Sequence, residues 1–285
     1  YWRDWSSDVC SSDLFMNNPF AELSASIPPN IMQGYLILMV ILVAGGTILD
    51  MIHKKSAKYF FANAEKAKKN AKREVSGGEK MGLAISTVAS EVLASSEFCN
   101  PRRRMSHLLI MYGFIIFVVT TAMMIFGATA GILPILWHIG ALMLAVGGYW
   151  FWFFIRADVS AEGLPPFRFE RADLFIVSLL ATSTFALIWS FTGGGVGVFF
   201  ALFILSSTVL FGGVYWSKFA HMFFKPAAAH QKKITRADGS RENLPPEYDL
   251  SDPEVHKRFP DVPMYMGKNP PKMGLCIKAE QNNHY

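Results

Sequence analysis

The chain has 285 residues, of which 52% are hydrophobic and 17% are charged, and its formal net charge is +5. The apolar residues stand in blocks too long for a globular core, so the composition excludes an ordinary soluble domain. An excess of positive charge can indicate nucleic-acid binding. Here the basic residues flank the apolar blocks, which is typical of membrane helices, so lipid is an expected partner and nucleic acid is not.

Residues 1–14 are expected not to belong to the natural protein. The run Asp4-Trp5-Ser6-Ser7-Asp8-Val9-Cys10 and the residues after it resemble a translated sequencing adapter. The stretch lacks the apolar core of a signal peptide. The natural start is then expected at Met16 or further upstream, and the alternative is a genuine short tail. Residues 15–30 are predicted to form an N-terminal segment on the outer face.

Five transmembrane helices are predicted, which makes the fold class an all-α integral membrane protein. A crossing needs about 20 apolar residues, and residues 31–49 are free of charge. Residues 105–155 hold two crossings and residues 174–217 two more, divided by glycine-rich turns. The predicted spans cover about 31–50, 106–128, 134–155, 173–192 and 196–222.

The positive charges predict the orientation of these helices. All lysines and arginines except Arg3 lie in residues 54–104, 156–171 and 218–278. Such an asymmetry marks the cytoplasmic side. The N-terminus is therefore expected outside and the C-terminus in the cytoplasm of a bacterial inner membrane. The membrane domain is assigned to residues 31–224, with a helical cytoplasmic loop at 51–104.

Two cytoplasmic segments are expected to meet a surface or a partner. Residues 79–97 carry an apolar stripe at helical spacing, which includes Met81, Ile85 and Val88, and which predicts a helix on the membrane surface or against a protein. Residues 225–285 are rich in Pro, Asp, Lys and Tyr. Such a tail has too few aliphatic residues for a core of its own. It is expected to dock a soluble partner, with a loose tail as the alternative.

Histidine offers the main chemistry within the predicted spans, since no charged residue is expected deep inside them. That pattern disfavours a transporter or pump. His107, at the start of the second span, and His221, at the end of the fifth, are predicted at similar depth near the cytoplasmic face. Two facing imidazoles can ligate the iron of a b-type haem. The alternative is a pair of interfacial histidines, and His138, near the opposite face, is expected to be packed rather than ligating.

The three cysteines, Cys10, Cys99 and Cys276, have no CxxC spacing. An iron–sulfur cluster or a structural zinc site is therefore not predicted.

Several motifs carry a resemblance to a known group of membrane proteins. Asn100-Pro101-Arg102-Arg103-Arg104-Met105-Ser106-His107 resembles the second-helix entry of nitrate reductase gamma-subunit-like proteins, which include heterodisulfide reductase membrane subunits. Further stretches resemble the membrane-anchor subunits encoded with dissimilatory adenylylsulfate reductase in sulfur-oxidising bacteria. These are Phe98-Cys99-Asn100-Pro101, Trp137-His138-Ile139-Gly140, Gly148-Tyr149-Trp150-Phe151-Trp152, Trp216-Ser217-Lys218-Phe219-Ala220-His221 and Tyr265-Met266-Gly267-Lys268-Asn269-Pro270-Pro271.

The resemblance implies a role in dissimilatory sulfur metabolism. The soluble partner would be the alpha and beta subunits of adenylylsulfate reductase, a flavin and iron–sulfur enzyme that oxidises sulfite and AMP to adenylylsulfate. The chain itself would hold no catalytic residue; it would anchor that enzyme and link it to the quinone pool. It is thus expected to be a non-catalytic or electron-transfer subunit of an oxidoreductase complex.

In the broader family the haem ligands come from the second and fifth helices, and His107 and His221 match one such pair. The family's other pair is unmatched, since Phe117 stands at one of its positions. At most one haem b is therefore expected. The alternatives are a cytochrome b subunit of another sulfur-linked quinone oxidoreductase and a purely structural anchor.

Overall fold

The computed structural model describes residues 15–96, 98, 100–128, 130–158, 163–242, 244 and 252–260. These residues are largely helical and contain no strand, which confirms the all-α class. The predicted adapter segment, Cys99 and the 265–271 motif lie outside the described residues. The α-helices are α1 Pro19–Ser24, α2 Pro29–Lys54, α3 Ser56–Lys69, α4 Gly77–Thr87, α5 Pro101–Ile125, α6 Ile132–Trp150, α7 Leu174–Phe191, α8 Val198–Gly212, α9 His221–Ala237 and α10 Pro253–Arg258.

Four helical segments are long and apolar enough to cross a membrane: Pro29–Lys54, Pro101–Ile125, Ile132–Ile155 and Arg171–Phe191. Each overlaps one of the first four predicted spans. The third extends α6 through a π-helix, Phe151–Ile155, and the fourth begins with a 3₁₀ turn, Arg171–Asp173. The described chain therefore has the helices of a multi-pass membrane protein.

The fifth predicted span, 196–222, differs from the observed helix. Helix α8 has 15 residues and ends at Gly212. A Cβ at Gly213 would collide with the carbonyl oxygen of Val209, so a larger residue there would require the backbone to shift. A 3₁₀ turn, Val214–Trp216, and a short irregular stretch follow before α9 begins at His221.

The chain forms two compact units. The first contains the described residues up to Lys54 together with 105–221, and so holds α1, α2, most of α5, and α6 to α8. The second contains residues 55–104 together with the described residues from Met222 onward. The second unit thus joins the predicted cytoplasmic loop to the first part of the predicted tail.

Helices α5 and α6 of the first unit approach backbone to backbone. A Cβ at Gly140 would lie 2.7 Å from the Phe117 nitrogen, and one at Gly113 would lie 2.9 Å from the Gly140 oxygen. Small residues allow such contact between membrane helices. Ser106 Oγ donates to the Gly147 carbonyl at 2.9 Å. These contacts set the rotation of α5 about its axis.

Candidate functional site

The rotation of α5 turns His107 away from α6. Ser106, Gly113 and Phe117 recur at helical spacing on the face that meets α6, and successive helical residues differ by about 100°. His107 is half-buried and lies on the neighbouring face. Phe114 follows on that same face, two turns further along the helix.

The His107 face of α5 meets the segment that leads to His221. Phe114 contacts Phe219, with ring centroids 6.1 Å apart, and Phe219 also packs edge-to-face on Phe175 at 5.3 Å. Phe219 and Ala220 are buried. His221 then opens α9, and its side chain lies outside the described part of the structure. The contact between Phe219 and Phe114 therefore brings the chain just before His221 to the helix face that bears His107.

The observed position of His221 departs from the arrangement expected for a haem between two spans. The expectation placed the second ligand in the fifth transmembrane helix, whereas α8 ends at Gly212 and His221 begins a separate helix. Of the two candidate ligands, His107 is the one whose side-chain burial the structure describes, and it is half-buried. A haem, if bound here, would require the imidazole of His221 to reach it from the N-terminus of α9.

A buried carboxylate lies next to the same segment, and the sequence did not predict it. Asp50 in α2 is 3% exposed and pairs with Lys54 Nζ at 2.5 Å. Gly46, Asp50 and His53 share one face of α2. A Cβ at Gly46 would be 3.0 Å from Cβ of Val214, and the His53 ring lies edge-to-face on Tyr215, 5.7 Å between centroids.

These groups place charged and polar side chains at the end of the apolar helix α2. Ionisable side chains within apolar helices are costly and commonly functional. Asp50 is buried, whereas His53 and Lys54 are exposed, so the end of α2 combines a buried, ion-paired carboxylate with an exposed imidazole. The 214–221 segment thus lies between the face of α2 that carries Asp50 and the aromatic contact with Phe114 on α5.

A second buried charge holds the link between α6 and α7. The Arg156 side chain is 0% exposed and its guanidinium lies 4.3 Å from the Trp152 ring centroid. Its Nη2 donates to Asp173 Oδ2 at 2.5 Å and to the Arg168 carbonyl at 2.7 Å, and its Nη1 donates to the Pro165 carbonyl at 2.8 Å. In the sequence, Arg156 is the first charged residue after an aromatic run. The structure makes it the centre of the folded link.

His138 is packed rather than free for ligation, as expected. Its Nδ1 lies 2.7 Å from the Pro134 carbonyl and its Nε2 lies 2.8 Å from Ser190 Oγ. Phe191 stacks on the imidazole with centroids 5.7 Å apart. Both ring nitrogens already have partners, so a metal would have to displace one of them.

The N-terminal segment packs against the end of the first unit that contains His138. Phe20 of α1 packs edge-to-face on Trp137 and Trp189, at 6.0 and 5.3 Å. A cavity of about 240 Å³ lies between this segment, α2 and the end of α5. Its lining is mainly apolar, and Gln33 donates to the Ile125 carbonyl at 3.2 Å. An apolar molecule would fit this cavity better than a charged one.

Charge pairs connect the two parts of the second unit. Lys233 of α9 reaches Ser90 Oγ at 2.9 Å and Glu91 at 3.6 Å, in the π-helix Val88–Leu93 that continues α4. Glu242 pairs with Lys66 of α3 at 2.8 Å. The Asp238 carbonyl accepts from the Lys72 backbone nitrogen at 2.8 Å. Residues 222–242 therefore fold onto the loop of their own chain.

Loss of the Glu242 contacts is expected to loosen this attachment. Hydrogen bonds from Lys66 and then Asn70 hold the pKa of Glu242 below its usual value. The lowered pKa of Glu242 stabilises the folded form at pH values above the pKa of an unfolded glutamate, which is about 4.3. This contribution disappears as the pH falls through the pKa that Glu242 has in the folded form. The protection of the 222–242 amides, taken relative to the intrinsic exchange rate at each pH, should be high above about pH 5 and should fall in more acidic solution.

Glu242→Gln should lower that protection at neutral pH and weaken its dependence on acid. Glu65→Gln is the matched control, because Glu65 pairs with Lys69 inside α3 and bridges no two segments. Equal exchange in the two variants would show that the Glu242 pair does not hold the tail.

The comparisons with known proteins add no relative. No family model, no curated protein and no solved structure matches the chain. The class defined by the fold is that of a helical multi-pass membrane protein whose described residues also form a second, charged unit.

Proposed function

We propose that the chain is a five-span protein of a bacterial inner membrane that anchors a soluble redox enzyme on the cytoplasmic face. The enzyme is the alpha and beta pair of adenylylsulfate reductase, and the anchor links its oxidation of sulfite and AMP to the quinone pool. The observation that carries the proposal is the second unit, in which the loop 55–104 and the start of the tail interlock.

That interlock supports the fifth crossing, whereas the orientation rests on the distribution of lysine and arginine. The loop and the tail must share one side of the membrane in order to contact each other. The chain between them contains α5, α6, α7 and α8, so an even number of crossings requires α8 to cross as well. Helix α8 alone spans about 22 Å, and the buried stretch with Val214, Phe219 and Ala220 extends the path. Irregular backbone is tolerated at membrane depth where protein covers it.

The choice of partner rests on the resemblance of the motifs from Phe98 to Pro271. The second unit suits such a role because it is folded and strongly charged, and because it leads into the tail residues that carry the most distinctive motif. Deletion of residues 261–285 should abolish binding of the reductase while leaving membrane insertion intact.

Deletion from residue 261 tests the tail more specifically than truncation after Lys225. The longer truncation would also remove Lys233 and Glu242 and so damage the second unit. The control is Lys257→Met with Arg258→Met in the full-length chain. A truncated protein that binds the reductase as tightly as the full chain would remove the tail from the docking site.

One haem b on His107 and His221 is the proposed redox centre, and it would supply one-electron transfer between the partner and quinone. The purified protein should then show a reduced b-type absorption band. His107→Ala and His221→Ala should each abolish it, whereas His138→Ala should leave it. A folded, colourless wild-type protein would contradict this proposal.

An anchor without a redox centre is the second candidate, and one observation favours it. His221 lies outside α8 and at the start of α9, so the two proposed ligands do not stand on two facing transmembrane helices. The same spectrum separates the candidates, because docking of the reductase without a haem band would support the purely structural role.

A further inference from the structure

Helix α4 and its π-helical continuation expose an apolar face. Met81 is 63% exposed, Ile85 64% and Val88 50%. Their spacing of four and then three residues places them on one side of the helix. Gly82 and Ala89 are also exposed. The exposed surface between residues 81 and 89 carries no charged side chain.

The acidic residues of this helix are directed to partners within the second unit. Arg73 forms two hydrogen bonds with the Glu79 carboxylate, at 3.0 and 2.5 Å. Lys233 lies 3.6 Å from the Glu91 carboxylate and 3.2 Å from Ser86 Oγ. The polar flank of the helix is therefore covered by basic side chains of its own chain, which leaves the apolar face outward.

The surroundings of this face match a lipid surface in charge and in connectivity. Residues 55–104 hold eleven lysines and arginines against five glutamates, so the segment is attracted to anionic headgroups. The same segment is joined at both ends to helices long and apolar enough to cross a membrane, α2 and α5. Its distance from the bilayer is limited by those two attachments.

We propose that the Met81–Ile85–Val88 face lies in the headgroup region of a bilayer that contains anionic lipid. An amphipathic helix binds in this way by burying its apolar face at the boundary between headgroups and chains, while basic residues add electrostatic attraction. The inference does not depend on haem, quinone or the identity of the docked enzyme.

The test is fluorescence quenching in the full-length protein. Cys10, Cys99 and Cys276 are replaced by Ser, and a single cysteine at Ile85→Cys carries an environment-sensitive dye. The protein is reconstituted in nanodiscs of phosphatidylcholine with phosphatidylglycerol. Lipids with a doxyl group near the headgroup should quench the dye at position 85 several-fold more than the dye at Lys68→Cys, an exposed position on the charged helix α3. Aqueous iodide should show the opposite preference.

Two further measurements test whether the apolar face contacts lipid and whether anionic lipid contributes. Met81→Glu, in the presence of Ile85→Cys, should reduce the lipid quenching, and nanodiscs of phosphatidylcholine alone should reduce it too. Strong iodide quenching at position 85 would overturn the proposal by placing the face in water. Protection from both quenchers would overturn it in favour of a protein occupant, such as a second copy of the chain. Equal lipid quenching with and without phosphatidylglycerol would remove the role of anionic lipid.

Discussion

Arg156→Met should destabilise the first unit by about 3–5 kcal/mol, the usual cost of breaking a buried ion pair. The substitution leaves Asp173 without its cation and leaves the Pro165 and Arg168 carbonyls without their donors. Unpaired buried polar groups cost more than the net value of the bonds they made. The expected result is a lower thermal unfolding temperature of the protein in detergent.

Arg168→Met is the matched control, since the Arg168 side chain is 70% exposed and its Nε lies 4.0 Å from a Glu170 carboxylate oxygen. Such surface pairs contribute about 0–1 kcal/mol. Arg156→Lys should fall between the two, because lysine keeps the charge but lacks the planar fork that reaches several acceptors. Equal unfolding temperatures for Arg156→Met and Arg168→Met would contradict the role given to Arg156.

Gly140→Leu is expected to separate α5 from α6. The first added carbon would lie 2.7 Å from the Phe117 nitrogen and 3.1 Å from the Gly113 oxygen. These are backbone atoms that cannot rotate aside, so the helices themselves must move. Overpacking of a core commonly costs about 1–3 kcal/mol, and more where the neighbours cannot adjust. Urea or heat should unfold this variant more readily than the wild type.

Gly45→Leu provides the comparison for that experiment. Gly45 also lies within an apolar helix, α2, but a Cβ there meets nothing within 4 Å. Replacement of a helical glycine at an open position removes a cost of about 1 kcal/mol, so this variant should be as stable as the wild type or more so. Close packing of α5 and α6 would be refuted if both leucine variants behaved alike.

The four long helices were predictable because the length of an uncharged run is itself the signal for a membrane helix. An uncharged run of about 20 residues has few structural solutions other than a membrane helix. The predicted spans 31–50 and 106–128 overlap Pro29–Lys54 and Pro101–Ile125, although the observed helices include flanking charged residues. Hydropathy finds the apolar part of a helix and not its ends, because helix formers such as lysine and arginine extend it.

The end of α8 was not predictable by the same signal. Residues 209–216 remain apolar or small throughout, so hydropathy continues past Gly212 while the helix does not. Hydropathy measures the cost of leaving lipid, whereas the break at Gly213 depends on backbone geometry beside Val209. For this reason His221, expected at the end of the fifth span, starts α9 instead.

The burial of the charged residues could not be predicted from the sequence, for a related physical reason. Asp50 and Arg156 stand at the ends of apolar runs, where a charge usually faces water. Their burial depends on distant residues: Val214–Trp216 packs against the face of α2 that carries Asp50, and Asp173 pairs with Arg156. Such contacts follow from the tertiary arrangement. By contrast, the uncharged run that begins at residue 105 was enough to place His107 near the start of an apolar helix, α5.

The most direct test of the proposed role is binding of the purified reductase to the membrane-embedded chain. Nanodiscs that hold the full-length protein are titrated with the alpha and beta subunits of adenylylsulfate reductase, and empty nanodiscs of the same lipid serve as the reference. The proposed anchor predicts saturable binding at one enzyme per chain, with loss of binding when residues 261–285 are deleted. Binding no greater than that to empty nanodiscs would contradict it.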